Sequence, residues 1–220
     1  DKNIFDVGCY RGSFTESIIK HESKNGIKSN IFLFDPNPKV KNYITSLLNN
    51  DNVKYFNLAL DNSNERKKFT LNQFFESSGS SLVSAQKEDK WYNITRKSFM
   101  KIVQPFKKIK DYVEIDVQTQ SIDNFCLKNN INCIDLLKLD TEGNEFNVLK
   151  GAEKFLSGNK IKVIYTEISA TKAKHKNKVD EIENFLKKYN FEHVKSFRMP
   201  ISSFLCGLKG SDNLFIHKDT

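Results

Sequence analysis

No apolar run in this 220-residue chain approaches the ~20 residues that a membrane-spanning helix needs, and no secretory leader is recognisable. The expectation is a cytoplasmic protein with no membrane span. The four cysteines, Cys9, Cys126, Cys133 and Cys206, form no C-x-x-C pair, so separate reduced thiols are expected. The G-x-G-x-x-G of a dinucleotide site is missing too, which removes the usual pyrophosphate turn. Nor does the chain begin with Met. It starts almost inside its first strand, as an excised domain would.

What is present reads as globular. Hydrophobic residues make up 38% and aromatics 12%, and the length suits one α/β domain spanning residues 1–220. The net charge is +8, with a pI near 9.1. Such a balance can mark an anionic partner. Here Lys and Asn are scattered along the whole chain, so composition bias explains the charge better than a nucleic-acid surface does.

The most informative stretch is Ile4-Phe5-Asp6-Val7-Gly8-Cys9-Tyr10-Arg11-Gly12-Ser13-Phe14-Thr15. Its apolar start reads as a buried strand, its glycines as a tight loop, and Ser13 and Thr15 as capping types before a helix with Phe14, Ile18 and Ile19 on its apolar stripe. Strand, Gly loop and helix start together make a cradle for a nucleotide-like ligand. Asp6, just before the loop, suits a ligand with a cationic end. S-adenosylmethionine, with an ammonium and a sulfonium, is such a ligand. Cys9 has no base beside it in sequence and reads as a small filler.

A second buried strand, Asn30 to Phe34, ends at Asp35-Pro36-Asn37-Pro38, and a helix should follow with Val40, Tyr43, Ile44, Leu47 and Leu48 on its inner face. A carboxylate at that strand end is placed to accept two ribose hydroxyls. Val53 to Leu60 reads as a third strand whose small Ala59 leaves space at an adenine edge, and Lys67 to Leu71 as a short extra one. Residues 72–112 are irregular, with Gly79 among serines and with Trp91, Tyr92, Phe99 and Phe106 among basic residues. They read as a cap over the substrate side. Tyr112 to Thr119 alternates as a strand does. The fourth main strand, Ile134 to Leu139, ends in Asp140-Thr141-Glu142-Gly143-Asn144-Glu145, with a helix expected from there to Gly158. Lys162 to Ile168 is a fifth strand, Lys172 to Lys178 a basic loop with an exposed His175, and Val179 to Tyr189 a helix. Phe191 to Phe197 and Asn213 to His217 read as a closing antiparallel pair.

The blocks at 5–12, 34–38 and 137–152 resemble the FkbM-type family of S-adenosylmethionine-dependent methyltransferases, and Gly79-Ser80-Ser81-Leu82 resembles a further family element. The third block is the specific one. The resemblance implies a Rossmann-like seven-stranded sheet in the order 3-2-1-4-5-7-6, helices on both faces, and methyl transfer to a hydroxyl of a sugar or glycoconjugate. Expected donor contacts are Asp6, Gly8, Cys9, Gly12, Ser13 and Phe14 in the first block, Asp35 and Pro36 in the second, then Ala59 and Asp140. Where the family usually carries Glu, this chain has Asp35, whose shorter arm is expected still to reach the ribose. Asp140 and Glu142 are the expected proton acceptors, ahead of Glu167 and His175, and no metal is expected. Two other readings stay open, an RNA methyltransferase and a non-catalytic interaction module on the same fold. The acceptor's identity and the oligomeric state are not legible.

Overall fold

The computed structural model describes residues 2–72, 80–82, 112–198 and 208–220. Its main sheet holds β1 (Lys2–Val7), β2 (Ser29–Phe34), β3 (Val53–Phe56), β7 (Ile134–Leu139), β8 (Ile161–Thr171), β9 (Phe191–Arg198) and β10 (Leu208–His217). The order is β3-β2-β1-β7-β8-β10-β9. With the three strands of the smaller sheet set aside, this is the expected 3-2-1-4-5-7-6. All neighbours are parallel except the pairs that β10 makes with β8 and β9. β1 lies between β2 and β7, the point where successive connections leave in opposite directions and a crevice opens at the carboxyl ends.

Burial on both faces explains the apolar runs of the central strands. On one face Phe5, Phe34 and Phe125 pack as an aromatic cluster, with Phe125 edge-on to Phe34 at 4.8 Å between centroids. On the other, Ile4, Ile31 and Leu33 meet Val40, Ile44 and Leu47. Helix α1 (Ser13–Asn25) stops at Gly26, which takes a left-handed φ of 65°. The segment after the two prolines forms only a short helix, α2 (Val40–Tyr43), and a 3-10 turn at Leu47–Asn49.

Four expectations need correction. Val53 to Leu60 is not one strand. Leu58 N–H donates to the Phe56 carbonyl at 2.9 Å, a three-residue turn that ends β3. β4 (Ala59–Leu60) then joins β5 (Arg66–Asn72) and β6 (Tyr112–Gln120) in a second sheet, ordered β4-β6-β5. Ser121 caps α3 (Ile122–Lys128), but the helix after Glu142 is split into α4 (Glu145–Lys150) and α5 (Glu153–Ser157). The break falls at Gly151, where any Cβ would collide with the Asp61 carbonyl. The basic loop is instead the start of α6 (Lys172–Lys187), which follows β8 without a gap. His175 is buried, not exposed. Its Nε2 lies 3.1 Å from both the Ile168 carbonyl oxygen and Ser211 Oγ.

Of the irregular stretch at 72–112, only residues 80–82 and the strand-edge residues lie within the described structure, so Trp91, Tyr92, Phe99, Phe106 and Gly79 fall outside it. No helix among the described residues is long and apolar enough to cross a membrane.

Candidate active site

The chain leaves β1 through three left-handed residues, Gly8 (φ 75°), Tyr10 (φ 45°) and Gly12 (φ 77°). Gly8 N–H and Cys9 N–H both donate to the Phe34 carbonyl, at 2.9 and 3.2 Å, which ties the loop to the end of β2. The space freed by the glycines is taken up by the protein itself. A Cβ on Gly8 would strike the Asp140 carbonyl oxygen, and one on Gly12 would strike Leu47. Gly12 is the N-cap of α1 without a side-chain bond. Thr15, read from sequence as a capping type, instead donates its hydroxyl to Asp6 Oδ2 at 2.8 Å.

Asp35 stands where β2 ends. One of its oxygens accepts Tyr10 N–H at 3.1 Å and the other accepts Asn37 N–H at 2.9 Å. Burial pushes its carboxyl up to about 6, although both N–H groups pull the other way. Asp6 is fully buried beneath the loop. Opposite it in register on β7 is Lys138, a residue the sequence reading passed over. Lys138 Nζ donates to the Gly8 carbonyl at 3.0 Å and lies 3.0 Å from Asp6 Oδ1 and 3.4 Å from Asp140 Oδ2. Burial alone would lower the pKa of this ammonium. The charges of Asp6 and Asp140 outweigh it and hold the value above the ordinary one for lysine. A signal was available: a cation between leucines near the end of a doubly covered strand must find an anion.

The turn after β7 is held by Glu145, whose Oε1 accepts the Thr141 N–H and hydroxyl at 2.9 Å each and Gly143 N–H at 3.0 Å. Glu142 takes a left-handed φ of 54° there. Ser81, bridged to Thr70 of β5, donates its hydroxyl to the Thr141 carbonyl at 3.3 Å.

Of the residues expected at the site, Gly8, Asp35, Pro36, Ala59, Asp140 and Glu142 line one cleft at the carboxyl edge of the sheet. Tyr10, Leu58, Ser80, Thr141 and Asn144, which sequence reasoning missed, line it too. Asp6, Cys9 and Gly12 are buried behind the loop, and Ser13 is exposed on α1. Phe14 is half-buried and stacks on Tyr165, 6.1 Å between centroids and 13° between planes. Cys9 has its thiol raised well above the ordinary value, first by burial and then by Asp35 and Asp6, so it stays protonated. Cys126 and Cys133 are likewise free thiols. Glu167 pairs with Asp212 across β8 and β10, away from the cleft wall. Among the described residues no group of three or more His, Cys, Asp or Glu is arranged to hold a metal ion.

A family model described as the methyltransferase FkbM domain matches residues 6–193. The chain belongs to the FkbM methyltransferase family. With that membership comes the methyl donor, S-adenosylmethionine. Among curated relatives, the 2-O-methyltransferase NoeI of Sinorhizobium fredii (strain NBRC 101917 / NGR234) is 26% identical over 176 residues, covering 77% of this chain. The match spans 64% of that relative's length. The crystal structure of methyltransferase FkbM from Methylobacillus flagellatus KT superposes with a TM-score of 0.56 at 11% identity, over 97% of this chain and 43% of that one. At that identity the likeness speaks to the fold, a Rossmann-like methyltransferase sheet.

Proposed function

We propose that this chain transfers a methyl group from S-adenosylmethionine to a hydroxyl of a saccharide or glycoconjugate, in the cytoplasm. The observation that carries the reading is a single cleft. It is lined by a ribose-type carboxylate, Asp35, at the end of β2 and by two further carboxylates, Asp140 and Glu142, after β7. The relative's name, a 2-O-methyltransferase, supports an oxygen acceptor. The free thiols of Cys9, Cys126 and Cys133 support a reducing compartment.

The residues suit the donor. Each Asp35 oxygen accepts one backbone N–H and keeps lone pairs for hydroxyls. Pro36 and Ala59 leave the neighbouring wall flat and small, as a purine edge requires. Asp6 and Gly12 hold the loop from behind. When bound, the cofactor supplies a methyl carbon already activated by a positive sulfur. The protein's share is to place the acceptor oxygen ~3 Å from that carbon and to take its proton. Asp140 or Glu142 would accept the hydroxyl proton as the acceptor oxygen takes the methyl group, and the donor would leave as the neutral thioether.

Two assays test this. Calorimetric titration with the donor should show saturable binding that Asp35→Ala weakens at least tenfold, on the scale of losing charge-assisted hydrogen bonds. Methyl transfer to a panel of saccharides should fall ~10²–10⁴-fold in the Asp140→Asn, Glu142→Gln pair, the usual worth of a general base. Full turnover by that pair would refute the assignment.

A further inference from the structure

We propose that Lys138 is the positioning residue of the donor site, holding Asp140 against the Gly loop and offsetting its charge. In doing so it sets how strongly the cleft prefers a sulfonium over the neutral thioether left after transfer. The inference rests on the donor reading above and deepens it.

One ammonium meets three oxygens from three parts of the site: the Gly8 carbonyl and Asp6 Oδ1 at 3.0 Å, and Asp140 Oδ2 at 3.4 Å. The Gly8 contact is a hydrogen bond, and the two carboxylate contacts are ion pairs. The anchor is rigid, because Asp6 is fully buried and its other oxygen is bonded to Thr15. The Phe14 ring lies 5.8 Å from the same nitrogen and covers it. The outer contact differs in kind. The Asp140 side chain is 34% exposed and lines the cleft. A pair made only to satisfy Asp6 would have no need of a rim carboxylate. This one reaches from the buried strand pair to the reacting edge.

The consequence is electrostatic. A carboxylate at the cleft edge attracts the donor's sulfonium, and that positive charge disappears as the methyl group leaves. Attraction that is stronger before the transition state than in it deepens binding without speeding the step. Lys138 shares the Asp140 charge and tempers that attraction. The donor and its demethylated product carry the same ammonium, carboxylate and nucleoside and differ only at sulfur. The ratio of their affinities therefore reads the field at sulfur and cancels general damage to the site.

The test is calorimetric titration of the whole chain with S-adenosylmethionine and with S-adenosylhomocysteine, alongside steady-state kinetics. Lys138→Met should move the affinity ratio toward the sulfonium by on the order of tenfold and lower kcat without raising the donor's KM. Lys138→Arg, which keeps the charge, should keep the wild-type ratio. If Lys138→Met does not fold, Lys138→Met with Asp6→Asn removes the stranded buried charge and carries the same expectation. In an Asp140→Asn background the Lys138 effect on the ratio should vanish. Equal weakening of both ligands, or a shift toward the thioether, would overturn the proposal and leave Lys138 a structural pair for Asp6. A wild-type chain that binds neither ligand would overturn the donor reading itself. Wild-type binding with an unmoved ratio would overturn only the role of Lys138.

Discussion

The two acidic strand ends on either side of β1 are built in opposite ways. At the end of β2, Asp35 is 8% exposed and each of its oxygens already holds a backbone N–H. At the end of β7, Asp140 has a third of its side chain exposed and faces the end of a lysine at 3.4 Å. The first carboxylate is fixed by the chain's own hydrogen bonds and can only receive. The second stands at the rim with its charge partly offset, where an acceptor can approach. Asp6 and Lys138 lie beneath both, so the holding half of the site is buried and the reacting half is not.

The largest break of this contrast comes from its buried half. Asp6→Ala removes the anion facing Lys138 inside the sheet, and losing one partner of a buried pair costs about 3–5 kcal/mol. Asp140→Ala, which removes the rim partner of the same ammonium, should cost less than about 1 kcal/mol of stability. Urea unfolding of the two variants side by side decides the matter. Equal losses would mean that Asp140 is as structural as Asp6.

A second pair sharpens the contrast at the backbone. Gly8 and Gly143 both take positive φ, 75° and 105°. Gly8 is also pressed against the Asp140 carbonyl, whereas a Cβ on Gly143 would meet only the tip of Lys178, at 3.4 Å. Gly8→Ala should therefore lose about 3 kcal/mol or more together with donor binding. Gly143→Ala should lose only the conformational strain, about 1–3 kcal/mol. Thermal melts with and without S-adenosylmethionine would separate them, since ligand stabilisation should persist only in the Gly143 variant.

The buried half was the less legible in sequence, for a physical reason. An apolar run stopped by an acid marks a strand end by local pattern alone, and Phe5-Asp6-Val7-Gly8, Phe34-Asp35 and Leu139-Asp140 could each be read that way. The resemblance supplied the sheet order. Lys138 could not be assigned a role by local pattern, because it meets Gly8 across 130 residues of chain. His175 lies in a run of lysines that reads as solvated, and the Ser211 beside it is 36 residues away. The break after Phe56 depends on a turn bond and on Asn57 donating its amide to the Asp35 carbonyl at 2.9 Å, neither of which leaves a periodicity. Glu145 was legible, since a carboxylate at a helix start is favoured wherever it occurs.

The smallest effect is a pH dependence, and its sign tests whether Asp35 is as buried as its bonds imply. Its folded carboxyl is raised from 3.8 to about 6, chiefly by burial. A raised carboxylate favours the folded state while protonated. The stabilisation is therefore complete below about pH 4 and is lost as the pH climbs through 6. The gap between those values corresponds to about 3 kcal/mol at most. Asp35→Asn cannot titrate there. The stability of the wild-type chain relative to this variant should accordingly fall between pH 4 and 6 and level off above it. Donor binding should run the other way. It should strengthen over the same interval, because only the ionised carboxylate keeps both oxygens as pure acceptors for two hydroxyls. Opposite slopes in the two measurements would place Asp35 as a ribose acceptor held at a cost in stability. Parallel slopes would make it a loop clasp alone.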